Sequence, residues 1–237
     1  STSIVAVNTS SEPSIVGKPG DSYNPDADRT LYAVYVKPGT TLTAETSFTL
    51  NSSGNNSSQM PTSGYALVIN VNSGSTAISN VINPSHSKFI KAVGSGEVTG
   101  AGSPATTQKT ENATIIWEIA SPSSGQYTFR NMVNGKYIGL NSDGEGVLLD
   151  DGSSNYAKWV INSTSANGFY FTNVGKSGWF LRYESSGGGW RGYENKNGSQ
   201  DNIYIYKPSS SPVLSGTVYQ SSMPLCSYHV YYDANGG

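Results

Sequence analysis

The chain has 237 residues, a formal net charge of -2 and 13% charged residues, against about 25% in ordinary globular proteins; with no run of Lys or Arg, nucleic acid and anionic membrane are excluded as main partners. No apolar stretch approaches the roughly 18 residues of a membrane span, so no membrane insertion is expected, and the single cysteine, Cys226, permits no internal disulfide. Few charges together with abundant Ser, Thr, Asn and Gly are the balance of a secreted β-protein, and the chain reads as an excerpt or mature fragment of one.

Residues 1–36 hold IVAV, a turn-rich segment and then LYAVYV, which alternation reads as a small hairpin or strand pair. Residues 37–44, KPGTTLTA, read as a linker. From Glu45 a domain is predicted to begin, with strands SFTL and YALVINV around a long polar loop. KFIKAV (88–93) and TIIWEI (114–119) follow, then QYTFRN, GKYIGL and AKWVI in residues 126–161, and FYFTNV, GWFLRY and NIYIY in residues 169–206. Alternation over four to seven residues dominates, with no sustained helical period. A Pro- and Ser-rich linker is expected at 208–227, and a last strand at 228–237.

The middle of the chain repeats. Tyr127 aligns with Tyr170 and Tyr137 with Phe180, each 43 residues on, Trp117 with Trp159 at 42, and Trp159 with Tyr204 at 45. Three units of this length, each with about four short strands, cannot bury their apolar faces alone, and sharing one core around a threefold axis solves that. The predicted fold is all-β, a β-trefoil over residues 45–207, with Trp117, Trp159 and Tyr204 as equivalent core residues. A β-sandwich also accommodates many short strands, but it predicts no threefold spacing.

Two stretches at the ends resemble a known repeat. GDSYNPDADRTLYAVY (20–35) is similar to the closing half of a Listeria–Bacteroides (internalin-type) repeat, and YHVYYDANGG (228–237) to its opening strand. The closing motif departs from the usual pattern in having Tyr35 where the repeat has tryptophan. The resemblance implies a central domain between two partial repeats, 1–36 and 228–237, of a bacterial surface protein.

The inventory of reactive groups points away from catalysis. The two histidines, His86 and His229, lack a nucleophile pattern, and no GxSxG, HExxH, CxxC or phosphate-binding loop occurs. Asp143/Glu145 and Asp150-Asp151-Gly152 could supply a glycosidase pair or oxygen ligands for calcium. Adjacent carboxylates before glycine read more simply as turns. The expectation is therefore no enzyme, no cofactor and no metal.

Binding remains. A sugar ring needs a flat aromatic and planar hydrogen-bonding groups beside it. Trp179, Tyr183, Trp190 and Tyr193 interleave with Arg182 and Arg191, with Asn195 close behind. Alternation places Trp179, Leu181 and Tyr183 on one face and Phe180 and Arg182 on the other, so one set belongs to the core. The candidate ligand-binding residues are Trp190, Tyr193, Arg191, Arg182, Asn195 and Trp179, and the bland alternative is that these aromatics only pack. A trefoil with an aromatic ending each unit resembles the ricin-type lectins, but IIWEI, AKWVI and NIYIY lack the glutamine of their Gln-Xaa-Trp ending, so no site residue of that family transfers. YALVI, GKYIGL, WFLRYESSGGGWRGY and IYIYK are also similar to a module of gut-bacterial surface proteins. The expected protein is a monomeric, secreted or cell-surface carbohydrate-binding module for host or dietary glycan, or else a spacer or adhesin segment contacting a surface protein.

Overall fold

The computed structural model describes residues 4–6, 31–51, 60–70, 76–94, 105–163, 168–196 and 202–226. Its strands are β1 (Ile4–Ala6), β2 (Leu31–Leu50), β3 (Ser63–Asn70), β4 (Thr76–Ile82), β5 (Ile90–Val93), β6 (Thr107–Asn112), β7 (Ile116–Ser123), β8 (Gln126–Asn131), β9 (Tyr137–Leu140), β10 (Gly146–Leu149), β11 (Trp159–Ser163), β12 (Phe169–Asn173), β13 (Phe180–Glu184), β14 (Gly189–Tyr193), β15 (Tyr204–Pro208) and β16 (Leu214–Cys226). The chain divides into a small unit, residues 1–39 with 215–237, and a larger one, residues 40–214.

In the small unit β1 pairs antiparallel with β16, Ile4 opposite Ser221, and β16 also neighbours β2. Of the two stretches similar to internalin-type repeats, 228–237 lies outside the described residues, and 20–35 does so up to the start of β2. The two segments expected as linkers differ from expectation: β2 runs through 37–44, and β16 occupies most of 208–227. Thr40, Thr41 and Thr43 in the first segment and Thr217, Val218 and Tyr219 in the second favour extended backbone beyond the Pro and Gly that had suggested a break.

The larger unit is built on a closed ring. β3 pairs with β7, β7 with β8, β8 with β11, and β11 with β12, all antiparallel. β12 meets the residue before β15 through Phe169 and Ile203, and β15 pairs back onto β3. Six strands thus form a barrel with no open edge, which removes the sandwich alternative. Between the barrel strands of each unit stands one hairpin: β4–β5, β9–β10 and β13–β14. The hairpins join one another, since β14 pairs with β5 at Trp190 and Ile90, Gly146 N donates to Lys88 O at 2.9 Å, and Gly192 N donates to Gly144 O at 2.8 Å. This is a β-trefoil.

Register shows which residues are equivalent, and it corrects the sequence alignment twice. Trp117 lies between Ala66 and Asn131, Trp159 between Tyr127 and Asn173, and Ile203 faces Phe169. The next residue, Tyr204, faces Ile69, which sets Ile203 against Asn70. The third member of the tryptophan set is therefore Ile203, not Tyr204. Like Trp117 and Trp159, Ile203 is fully buried in the main core, whereas Tyr204 packs in a second cluster. Tyr127 likewise corresponds to Phe169 rather than Tyr170, because Asn131 and Asn173 hold the same place 42 residues apart. The alternating Ile-Tyr pattern of NIYIY invited the one-residue slip, which moves every side chain to the other face.

Three asparagines, Asn70, Asn131 and Asn173, end the first strand of each unit and are buried. Asn131 Nδ2 donates to the carbonyls of Thr114 and Ile116, Asn173 Nδ2 to those of Tyr156 and Lys158, and Asn70 Nδ2 to that of Asn202. Their side-chain oxygens serve the following turns: Asn131 Oδ1 accepts from Val133 N, and Asn173 Oδ1 from Lys176 N. Each amide thus satisfies backbone groups where chain crossing leaves no ladder partner. Gly135 and Gly178 occupy the same place before β9 and β13, both with positive φ (71° and 79°), which closes those turns without a Cβ penalty.

The first unit carries a longer insertion, and the structure gives it a use. Its β6 pairs with β2, whose residues Phe48, Thr49 and Leu50 in turn pair with β15. Leu42, Phe48, Ile115, Tyr204 and Tyr206 form the second apolar cluster with Leu67 and Ile69, and Tyr206 donates to Ala105 O at 2.8 Å.

Candidate functional site

The β13–β14 hairpin sorts its side chains by alternation. Leu181 faces Gly192 and Tyr183 faces Trp190, and these point into the core; Phe180 faces Tyr193 and Arg182 faces Arg191 on the other side. Trp190, expected as the sugar-stacking residue, is wholly buried, its ring 5.7 Å from that of Tyr183. Correcting that expectation has a physical basis: Trp190 occupies the place where the second unit has Gly146, whose Cβ would come within 2.2 Å of Trp190 O. One large ring and two smaller residues fill the junction of the three hairpins. Trp179 is half-buried against the core, its ring lying on Gly144, where a Cβ would meet it at 2.0 Å; Lys176 Nζ stands 4.1 Å from its centroid.

The other set stays together, with Arg182 buried and Arg191 and Tyr193 half-buried. Arg182 lies 4.2 Å from the centre of the Tyr193 ring and donates to the backbone oxygen of Asn195, and Arg191 lies 5.2 Å from the same ring. Asn195 is exposed. Burial raises the Tyr193 hydroxyl above its ordinary 10.0, with Glu184 adding and the two arginines opposing, so it remains a neutral donor. Four of the six sequence-predicted residues, Arg182, Arg191, Tyr193 and Asn195, are thus brought together, without Trp190 and with Trp179 turned toward Gly144.

A second place lies at the acidic turn that the sequence offered only as a turn, a carboxylate pair or calcium ligands. In the middle unit an open depression of about 480 Å³ is lined by Pro122, Thr128, Tyr137, Asp150, Asp151, Gly152, Ser153 and Lys158. Gly152 lies so near the Tyr137 ring that a Cβ would come within 2.5 Å of it. Asp150 pairs with Lys136 at 2.8 Å. Asp151 accepts from the backbone N of Ser153 at 2.7 Å and from its Oγ at 2.8 Å, bonds that hold its carboxyl below the ordinary 3.8. DDGS is therefore a turn, as its sequence suggests, but one whose carboxylates flank an aromatic ring. The signal available was Tyr137 itself: it holds the outward position of β9, facing Leu149 directly before the paired aspartates.

The equivalent place in the third unit is occupied. Register puts Phe180 at the position of Tyr137 and Tyr170 at that of Thr128. The Tyr170 and Phe180 rings lie 5.7 Å apart and Lys196 Nζ stands 3.8 Å from the Tyr170 centroid. In the first unit the position of Tyr137 is taken by Ala77, buried in the second cluster. Replacing a threonine by an aromatic, or an aromatic by alanine, closes or empties the place, and the middle unit keeps both a ring and room beside it.

The other acidic turn, Asp143/Glu145, is an internal clamp. Asn141 Oδ1 accepts from the backbone N of both residues, Asn141 Nδ2 donates to Glu145 at 2.8 Å, and Lys88 pairs with Glu145 at 3.2 Å.

No protein-family model and no curated protein matches the chain. Among solved structures it is similar to the Polyporus squamosus lectin bound to a human-type influenza-binding epitope, with a TM-score of 0.47 and 14% identity over 63% of this chain and 50% of that one. It is also similar to SeviL bound to asialo-GM1 saccharide (0.43, 16%, covering 63% and 100%) and to the designed threefold-symmetric protein ThreeFoil (0.43, 15%, 62% and 99%). The chain spans half the length of the Polyporus lectin.

Proposed function

We propose that the larger unit is a non-catalytic carbohydrate-binding module of a secreted or cell-surface bacterial protein. The observation that carries this reading is the depression of the middle unit, where the Tyr137 ring lies beside Asp150, Asp151, Ser153 and Lys158. A ring offers the apolar face of a pyranose a flat surface, ionised carboxylates accept from neighbouring hydroxyls, and an ammonium donates to a ring or hydroxyl oxygen. Shallowness suits a ligand whose remaining hydroxyls stay wet. Gly152 keeps a side chain off the ring. The Arg182, Arg191, Tyr193 and Asn195 group of the third unit is a further contact region of the same module. Export is supported by the composition and by the likeness of the chain's end segments to surface-protein repeats, and a monomeric state by the closed barrel.

A glycan array with the full chain tests the reading. Tyr137→Ala and Asp151→Asn are expected to abolish or weaken binding by about tenfold or more while leaving the melting transition in place. Binding unaffected in both variants places any sugar site elsewhere. A second reading, a spacer or adhesin segment that contacts protein, is favoured by the burial of Trp190, which takes one of the third unit's two tryptophans off the surface. Silence across host, dietary and microbial glycans selects it.

A further inference from the structure

Thr128 is out of place in its strand. Its neighbours in β8, Tyr127 and Phe129, belong to the main core, so alternation turns Thr128 to the outer face, where it lines the middle unit's depression. It is the one buried residue of that lining, 5% exposed, and so its floor. Among the described residues its hydroxyl makes no hydrogen bond, and it is not one of the polar atoms sealed from solvent, so the little exposure it keeps opens into the depression. The other units place apolar side chains here. The equivalence of Asn70, Asn131 and Asn173 sets Thr128 against Leu67, buried in the second cluster, and against Tyr170, whose ring packs on Phe180. Such residues serve packing, whereas a nearly buried hydroxyl without a partner is costly unless something comes to meet it.

Round this hydroxyl the lining offers two further kinds of contact. Pro122 is exposed and the Tyr137 ring half-buried, which gives apolar surface beside the floor. Lys136 takes Asp150 Oδ1, and both Asp151 oxygens accept from Ser153, but an ionised carboxylate has lone pairs left for another donor. A plain sugar hydroxyl uses a donor and an acceptor and leaves the proline without a purpose. An acetamido group uses all three, since it carries a carbonyl acceptor, an N–H donor and a methyl group on one small plane. We propose that the depression recognises a 2-acetamido sugar: the Thr128 hydroxyl donates to the acetyl carbonyl, the Asp150–Asp151 turn accepts from the amide N–H, and Pro122 meets the methyl group while Tyr137 carries the pyranose ring. This rests on the carbohydrate reading given above and narrows it.

The probes are two pairs that differ at C2 alone, triacetylchitotriose against cellotriose and methyl N-acetylgalactosaminide against methyl galactoside, titrated calorimetrically into the full chain. In at least one pair the acetylated member is expected to bind about tenfold or more tightly than its partner. Thr128→Val, which keeps the side chain's shape and removes the hydroxyl, is expected to erase that preference, and Thr128→Ser to retain it, with the melting transition of both variants showing that they fold. A measurement on the unaltered protein stands beside them: in saturation-transfer NMR the acetyl methyl protons take up more saturation than the protons of the sugar ring. Equal affinity within both pairs, a preference that survives in Thr128→Val, an acetyl methyl saturated less than the ring, or array binding confined to glycans without an acetamido group each overturns the inference and leaves the module's function standing. If no glycan binds at all, the carbohydrate reading fails and this one with it.

Discussion

Trp159 and Trp190 are both wholly buried, yet only the first uses its indole N–H: Trp159 Nε1 donates to Ile138 O at 3.0 Å, as Trp117 Nε1 does to Ile78 O at 3.1 Å, while Trp190 Nε1 has no partner. Replacing Trp159 by Phe strands a buried carbonyl, and replacing Trp190 by Phe removes a stranded donor. In chemical denaturation Trp159→Phe is therefore expected to cost about 1 kcal/mol or more beyond Trp190→Phe. Equal losses would show that ring volume alone governs both sites. Asn131→Ala or Asn173→Ala should each cost about 2–3 kcal/mol through the buried backbone groups they leave unpaired, read as a lower midpoint at unchanged slope. Trp117 and Trp159 were legible in the sequence because size and spacing announce a core, whereas Trp190, expected against a sugar, was not. The asparagines were not, since Asn beside a turn looks the same whether it faces water or closes a barrel crossing.

At the scale of the element, turns hold the charges. Glu145 sits below its ordinary 4.5 because the Asn141 amide, then Lys88, bond its carboxylate. A depressed folded value means that this contribution is present above the unfolded value and disappears as pH falls through the folded one. Asn141→Ala should shift the Glu145 titration up toward 4.5, followed by carboxyl NMR, and flatten the loss of melting temperature on acidification below that pH. An unchanged Glu145 titration in the variant would assign the shift to Lys88. Gly144 carries a different demand, with φ of 81° and the Trp179 ring against it. Gly144→Ala should destabilise by about 2 kcal/mol or more and alter tryptophan fluorescence, since both the backbone and the ring must move. Strands and hairpins could be read from alternation. What alternation could not give was which face of β13–β14 meets the core, because Trp179, Phe180 and Tyr193 are all large; Gly192 within β14 and Gly146, distant in the chain, decide it by leaving room on one side.

For the molecule as a whole, the barrel exists only when β15 reaches β3. The pairings that close the barrel, β3 with β7 and β15 with β3, join distant parts of the sequence, so slow folding, in milliseconds to seconds, is expected, with a single unfolding transition for the larger unit. Deleting residues 203–208 should abolish that transition in calorimetry; a surviving cooperative melt would mean that two units suffice. The threefold repeat made this architecture readable from the sequence, whereas the use of the first unit's insertion as a covering layer was not, because β6 and residues 41–49 of β2 carry mostly Thr and polar residues and pair at long range. Ring closure also brings the unit's own beginning and end together, with Thr43 N donating to Val213 O at 2.9 Å. A force applied at Thr43 and Val213 consequently pulls on neighbouring points. Its load falls on that short seam, opened one bond at a time, and the barrel carries no tension until the seam has parted.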